Sequence, residues 1–113
     1  MLFAGVPVTD FVQASAWYER FFGRPPDVIP SPGREVMWQV AETGWIYVVV
    51  DPDRAGNALV TYSVVGNLDE RLAELAARGI GAGAPEEQAP GAWKADIEDP
   101  DGNRISLAQL PSG

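Results

Sequence analysis

Residues 93–109 read WKADIEDPDGNRISLAQ. Apolar and polar residues alternate from Trp93 to Glu98 and again from Arg104 to Gln109, which is typical of β-strands. The residues between the two runs, Asp99 to Asn103, place a proline early and a glycine late, as is common in tight turns. The stretch therefore predicts two strands joined by a turn.

A strand and a helix are predicted upstream of these two strands. The strand runs from Ala58 to Val65, and Asn67 is the expected helix N-cap, with Glu70 at the capping-box position. The helix carries an apolar stripe and ends at Gly79. The stripe consists of Leu68, Leu72, Leu75 and Ala76. Residues 80–92 are expected to begin as a weak strand that fades into a loop.

The first half of the chain follows the same plan. Residues 2–9 are predicted as a strand, and Asp10 as the cap of a helix that ends at Gly23. A short strand at Val28-Ile29 and a hairpin complete this half; the hairpin strands are Glu35 to Ala41 and Trp45 to Val50. The two caps lie 57 residues apart, about half the length of the chain, so the repeat accounts for the whole sequence.

The predicted fold class is therefore α+β, with two βαβββ modules. All 113 residues are expected to form a single domain, which is what a chain of this length favours. Module one covers about residues 1–51, a polar linker about 52–57, and module two about 58–110.

Composition excludes several classes of function. The chain contains no cysteine and no histidine, so it cannot build a disulfide, a thiolate metal site or a Ser-His-Asp or Cys-His catalytic set. A net charge of −8 disfavours nucleic acid and anionic membrane surfaces as partners. No stretch has the pattern of a signal peptide or of a membrane span, and a cytoplasmic location is expected.

The element order resembles that of the vicinal-oxygen-chelate superfamily, which includes glyoxalases, bleomycin resistance proteins and extradiol dioxygenases. Three stretches carry the resemblance. VPVTD at residues 6–10 and SAWYERFFG at residues 15–23 are similar to the family's first strand and its "FY…LG" helix. Residues 68–80 are similar to the helix of its second module, and DPDGNRI at residues 99–105 to its C-terminal hairpin.

This resemblance implies that the modules form a cup-shaped, curled mixed sheet with the helices on its outside. Metal-dependent members hold an ion with one side chain from each of four strands, and the matching positions are Phe3, Val49, Val60 and Ser106. None of these is a good ligand for a divalent metal, and the chain offers no histidine in any register. The resemblance therefore implies a metal-free member without a cofactor.

Strand alternation predicts which residues line the cup. Strands one, four, five and eight are expected to turn apolar and aromatic side chains inward, with a few hydroxyl groups among them. The orientation of the third strand is undecided, because either Met37 with Gln39 or Trp38 with Val40 can point into the cup. The predicted ligand-binding residues are Phe3, Trp38, Gln39, Trp45, Tyr47, Val49, Val60, Tyr62, Trp93 and Ser106, and no residue is assigned a catalytic role.

Three functions remain open at this stage. The leading prediction is metal-independent binding, and so sequestration, of a hydrophobic or aromatic small molecule such as an antibiotic or secondary metabolite. The alternative is a glyoxalase-type or dioxygenase-type enzyme with a degenerate or absent metal site. A third is an interaction module whose own side chains fill the cup. The resemblance also implies a homodimer in which each site is built partly by the partner; neither nucleic acid nor a membrane is expected as a partner.

Overall fold

The computed structural model describes residues 1–64 and 66–111 and contains two βαβββ units in succession. The elements of the first unit are β1 (Leu2–Val8), α1 (Phe11–Phe22), β2 (Val28–Ser31), β3 (Glu35–Ala41) and β4 (Gly44–Val50). Those of the second are β5 (Leu59–Ser63), α2 (Leu68–Ala77), β6 (Glu86–Ala89), β7 (Ala92–Glu98) and β8 (Arg104–Gln109). The predicted α+β fold class and module order are confirmed.

Each unit forms its own four-stranded sheet with the same topology. The first sheet has the strand order β1-β4-β3-β2 and the second the order β5-β8-β7-β6. In both sheets the first and last strands of the unit pair in parallel, and the remaining pairs are antiparallel. Within the described residues, no helix is long and apolar enough to cross a membrane.

The prediction differs from the structure most clearly at β6 and β5. Strand β6 lies in the segment that the sequence predicts as a loop, and its four residues are all exposed. An exposed edge strand needs no alternating apolar pattern, because its backbone pairing with β7 holds it in place. The strand predicted from Ala58 to Val65 is shorter, and Val65 lies outside the described residues.

One connected core joins the two units. We call the face of each sheet against which the helices pack its covered face, and the opposite face its outer face. The covered faces contribute Val6, Val8, Val36, Trp38, Ile46, Val48, Ala95, Ile97, Ile105 and Leu107, and the helices Ala14, Trp17, Tyr18, Phe21, Leu68 and Leu75. Both covered faces are buried in this one core. Each outer face therefore points away from the core.

A hydrogen-bond network at the turn between β7 and β8 ties the two units together. The buried carboxylate of Asp99 accepts hydrogen bonds from the Tyr18 hydroxyl at 2.7 Å and from the side-chain amide of Asn103 at 2.8 Å. That amide also donates to the carbonyl of Pro7 at 2.7 Å and accepts from the N–H of Ala58 at 2.9 Å. Burial, and then the negative charge of Asp99, raise the pKa of Tyr18, so its hydroxyl remains a donor. The sequence had indicated only a turn at this point.

Candidate ligand-binding site

The outer face of the first sheet is an aromatic and aliphatic surface. Phe3 on β1 pairs with Trp45 on β4, which in turn pairs with Gln39 on β3, and further along the sheet Gly5 pairs with Tyr47. Paired residues in neighbouring strands share a face, so these side chains lie on one side of the sheet. Met37, Pro7 and Val49 belong to the same face. Phe3 is 51% exposed although it is a large apolar residue.

Gly5 creates the space in which the Tyr47 ring lies. A Cβ atom at Gly5 would stand 2.6 Å from both Cζ and Oη of Tyr47. The tyrosine ring therefore lies across the backbone of β1 and not out in solvent. Close by, the indole N–H of Trp45 is buried and has no hydrogen-bond partner among the described residues. This face thus offers stacking surface to a planar molecule.

The outer face of the second sheet is polar. Ser106 on β8 pairs with Thr61 on β5 and with Asp96 on β7, and its hydroxyl donates a hydrogen bond of 2.6 Å to the Asp96 carboxylate. Two cations flank that carboxylate, Lys94 at 3.7 Å and Arg104 at 3.9 Å. The Ser106 hydrogen bond, followed by the charges of Lys94 and Arg104, lowers the pKa of Asp96. This face presents an ionised carboxylate between two cations.

Val60 and Tyr62 do not lie on the outer face, where the sequence had placed them. Val60 pairs with Ile105 and Tyr62 with Leu107, and both partners belong to the buried core. Thr61 occupies the outer-face position that was predicted for Val60. Pro7 pairs with Val49 and Thr61 with Ser106, so the repeat distance is 54 residues from β1 to β5 but 57 residues from β4 to β8, a shift of three. A shift by an odd number of residues moves every side chain to the opposite face.

The two remaining tryptophans of the predicted set also lie on covered faces. Trp38 is fully buried, stacks on Phe22 with ring centroids 4.9 Å apart, and donates its indole N–H to the Arg24 carbonyl at 3.0 Å. This answers the open question on β3: Met37 and Gln39 share the face of Trp45 and Tyr47, and Trp38 lies on the covered face. Trp93 shares the face of the buried Ala95 and is 38% exposed at the end of β7.

The structure therefore brings together one part of the predicted site. Phe3, Gln39, Trp45, Tyr47 and Val49 share the outer face of the first sheet, and Ser106 lies on the outer face of the second. Sequence reasoning missed Thr61 and Asp96 as site candidates. The signal was present in β5, where the polar Thr61 and Ser63 alternate with apolar residues, a pattern that turns the apolar ones toward the core.

Solved structures that are similar to this chain share its fold over nearly its whole length. A glyoxalase/bleomycin resistance protein from Catenulispora acidiphila is 38% identical, with a TM-score of 0.87 over 96% of each chain. This chain belongs to the glyoxalase/bleomycin resistance protein family. TnmS3, an antibiotic binding protein from a Streptomyces species, is 26% identical, with a TM-score of 0.76 over 97% of this chain and 93% of that one.

A bleomycin-binding protein solved in complex with bleomycin has the same fold, at 23% identity and a TM-score of 0.72 over 93% of each chain. No protein-family model matches the sequence, and no protein of curated function matches it either. The structural neighbours of this family member thus include proteins that bind antibiotics.

The residues present do not fit the metal that metal-dependent relatives hold. Phe3 and Val49 offer no lone pair, Val60 lies on the covered face, and the Ser106 hydroxyl is engaged with Asp96. Within residues 1–64 and 66–111, no three His, Cys, Asp or Glu side chains lie close enough together to hold an ion. We therefore assign no chemical step to a metal at these positions.

Proposed function

We propose that this protein binds a hydrophobic or aromatic small molecule, such as an antibiotic or secondary metabolite, without a metal ion, and thereby sequesters it. The observation that carries the proposal is the aromatic face formed by Phe3, Trp45 and Tyr47, of which Phe3 is 51% exposed and the other two are half-buried. Planar ligands gain from stacking on such rings. The antibiotic-binding relative supports the same ligand class.

We further propose that two copies of the chain close the site. Within one chain, Phe3 on the outer face of the first sheet is 51% exposed, and Leu59, which pairs with Arg104 on the outer face of the second sheet, is 79% exposed. Large exposed apolar side chains are found at interaction sites. In the proposed homodimer, the aromatic face of one copy lies opposite the polar face of its partner. Each ligand is then held between stacking surface and the Thr61 and Asp96 side chains, with Ser106 holding the Asp96 carboxylate in place.

The experiment is a tryptophan-fluorescence titration with bleomycin and with planar polycyclic aromatics, each in the presence and absence of EDTA. We expect a saturable change that EDTA leaves unaltered. Trp45→Ala should weaken binding by about tenfold or more, since buried aromatic anchors dominate such sites. Trp93→Ala is the matched control, because this tryptophan lies on the covered face of the other sheet.

Equal weakening by Trp45→Ala and Trp93→Ala would contradict the placement of the site. Loss of binding on addition of EDTA would contradict its metal independence and favour the metal-dependent enzyme alternative. Size-exclusion chromatography with light scattering tests the dimer separately. A monomer at the concentrations used for titration would contradict the shared site.

A further inference from the structure

A cleft runs along the seam between the two units, and it reaches residues of the outer faces, among them Trp45 and Thr61. It consists of two adjoining cavities of about 170 and about 200 Å³, which share Val40 and Tyr62 as lining residues. We call it the seam cleft. Typical ligand pockets measure roughly 300 to 1,000 Å³, so the two cavities together suit a small molecule and not a bulky antibiotic.

The first cavity carries positive charge. Arg24 from the segment after α1 and Arg71 from α2 line it together with the Tyr62 side chain. Burial raises the pKa of Tyr62 to about 12, and the charges of Arg71 and Arg24 act against this rise, so both guanidinium groups lie within electrostatic reach of the hydroxyl. No described residue forms a hydrogen bond with that hydroxyl, which leaves it free to donate to a bound anion.

The neighbouring acceptors use only some of the N–H donors of each guanidinium group. Arg24 donates through Nη2 to Asp27 at 3.0 Å and to the carbonyl of Gln39. Within the described part of the chain, Arg71 approaches one acceptor, Glu74, through its Nε at 3.5 Å. A guanidinium has five N–H donors, so the outer nitrogens of Arg71 remain available. The cavity can therefore bind an anion although the chain as a whole carries a charge of −8.

The second cavity is apolar. Its walls come from both units: Leu2, Ala4 and Trp45 on one side and Val60 on the other, with Val40 and Tyr62 at the junction. A hydrocarbon or aryl group placed there removes apolar surface from water, which favours binding by about 25 cal/mol for each Å² buried. The seam cleft thus has a cationic end and an apolar end.

We propose that the seam cleft binds a small amphipathic carboxylate. The carboxylate group accepts hydrogen bonds from Arg71 and Tyr62, with Arg24 adding positive charge, and the apolar tail lies between Leu2 and Val60.

Trp45 and Thr61 are among the residues that line the seam cleft as well as an outer face. Arg71 and Tyr62, which bind the carboxylate, lie on neither outer face. The proposal therefore does not depend on the proposed function of the outer faces.

Isothermal titration calorimetry with octanoate tests the proposal, and octan-1-ol serves as the uncharged analogue. We expect saturable octanoate binding and at least tenfold weaker binding of the alcohol. Arg71→Gln should weaken octanoate binding by about tenfold or more, because it removes charge-assisted hydrogen bonds. Tyr62→Phe removes one hydroxyl only and should weaken it by a few-fold.

Arg34→Gln is the matched control, since it removes the same charge from an exposed residue outside both cavities. It should change octanoate binding by less than about twofold, and Tyr47→Ala should leave that binding intact. Three results would overturn the proposal: absence of octanoate binding, equal binding of octan-1-ol, or equal effects of Arg71→Gln and Arg34→Gln. Loss of octanoate binding in Tyr47→Ala would also overturn it, by assigning the ligand to the outer face.

Discussion

Replacing Asn103 by alanine should destabilise the fold severely, because its side chain holds the two units together. The residue is fully buried, and its amide makes three hydrogen bonds, to Asp99, Pro7 and Ala58. One of these partners is a carboxylate, worth about 1.5–3 kcal/mol, and each of the other two bonds is worth about 0.5–1.5 kcal/mol. We expect Asn103→Ala to lower the free energy of unfolding by about 3–5 kcal/mol. For a chain of this size that is a fall in Tm of about 12 °C or more.

Urea denaturation followed by circular dichroism measures the loss, at one protein concentration because the stability of a dimer depends on concentration. Asn57→Ala is the matched control. Asn57 is exposed, and among the described residues its side-chain amide donates to two carbonyl groups, both of its own turn, at 3.2 and 3.5 Å. We expect it to cost less than about 0.5 kcal/mol. A loss below about 1 kcal/mol in Asn103→Ala would refute the view that this network joins the units.

Three further predictions follow from the site and its surroundings. Gly5→Ala should displace the Tyr47 ring, because the added Cβ would lie 2.6 Å from it; we expect ligand binding to weaken about fivefold or more in the fluorescence titration, with little change in urea stability. Ser106→Ala removes the hydrogen bond that most lowers the pKa of Asp96, so the carboxyl titration followed by carbon NMR should move upward; an unchanged midpoint would contradict the assignment. The pKa of Tyr62 is raised from 10.0 to about 12, so the unfolded chain loses this proton first and stability should fall as pH rises through that window. The fall in stability with rising pH should be smaller in Tyr62→Phe than in the unaltered protein. An equal fall in both proteins would contradict the raised pKa of Tyr62.

The secondary structure was largely predictable because its determinants are local. The two helix caps confirm this: the Asp10 carboxylate accepts from the Gln13 N–H at 3.1 Å, and the Asn67 side chain from the Glu70 N–H at 3.2 Å. Strand β6 was not predicted, since its residues are all exposed and only its pairing with β7 makes it a strand.

The face on which a candidate site residue lies could be predicted only on strands whose orientation did not have to be inferred from the repeat distance. On β1 and β4 alternation assigned Phe3, Trp45 and Tyr47 to one face, and their pairing agrees. On β5 the assignment rested on the repeat distance, and the shift of three residues in that distance reversed it for Val60 and Tyr62. Alternation sorts residues into two sets, but only the packing of the helix determines which set is buried.

The first-strand, α1 and hairpin motifs that carry the family resemblance meet at a single place in the structure, and that place is not the proposed ligand site. The Pro7 carbonyl comes from the first stretch, the Tyr18 hydroxyl from the α1 stretch, and Asp99 and Asn103 from the hairpin stretch. These residues bury polar groups against one another and fix how the two units pack, so they are requirements of the fold. The aromatic residues of the outer face lie outside all three stretches. Motifs of this kind therefore identify the fold of such a chain, while the choice of ligand depends on residues that are free to differ between proteins that share it.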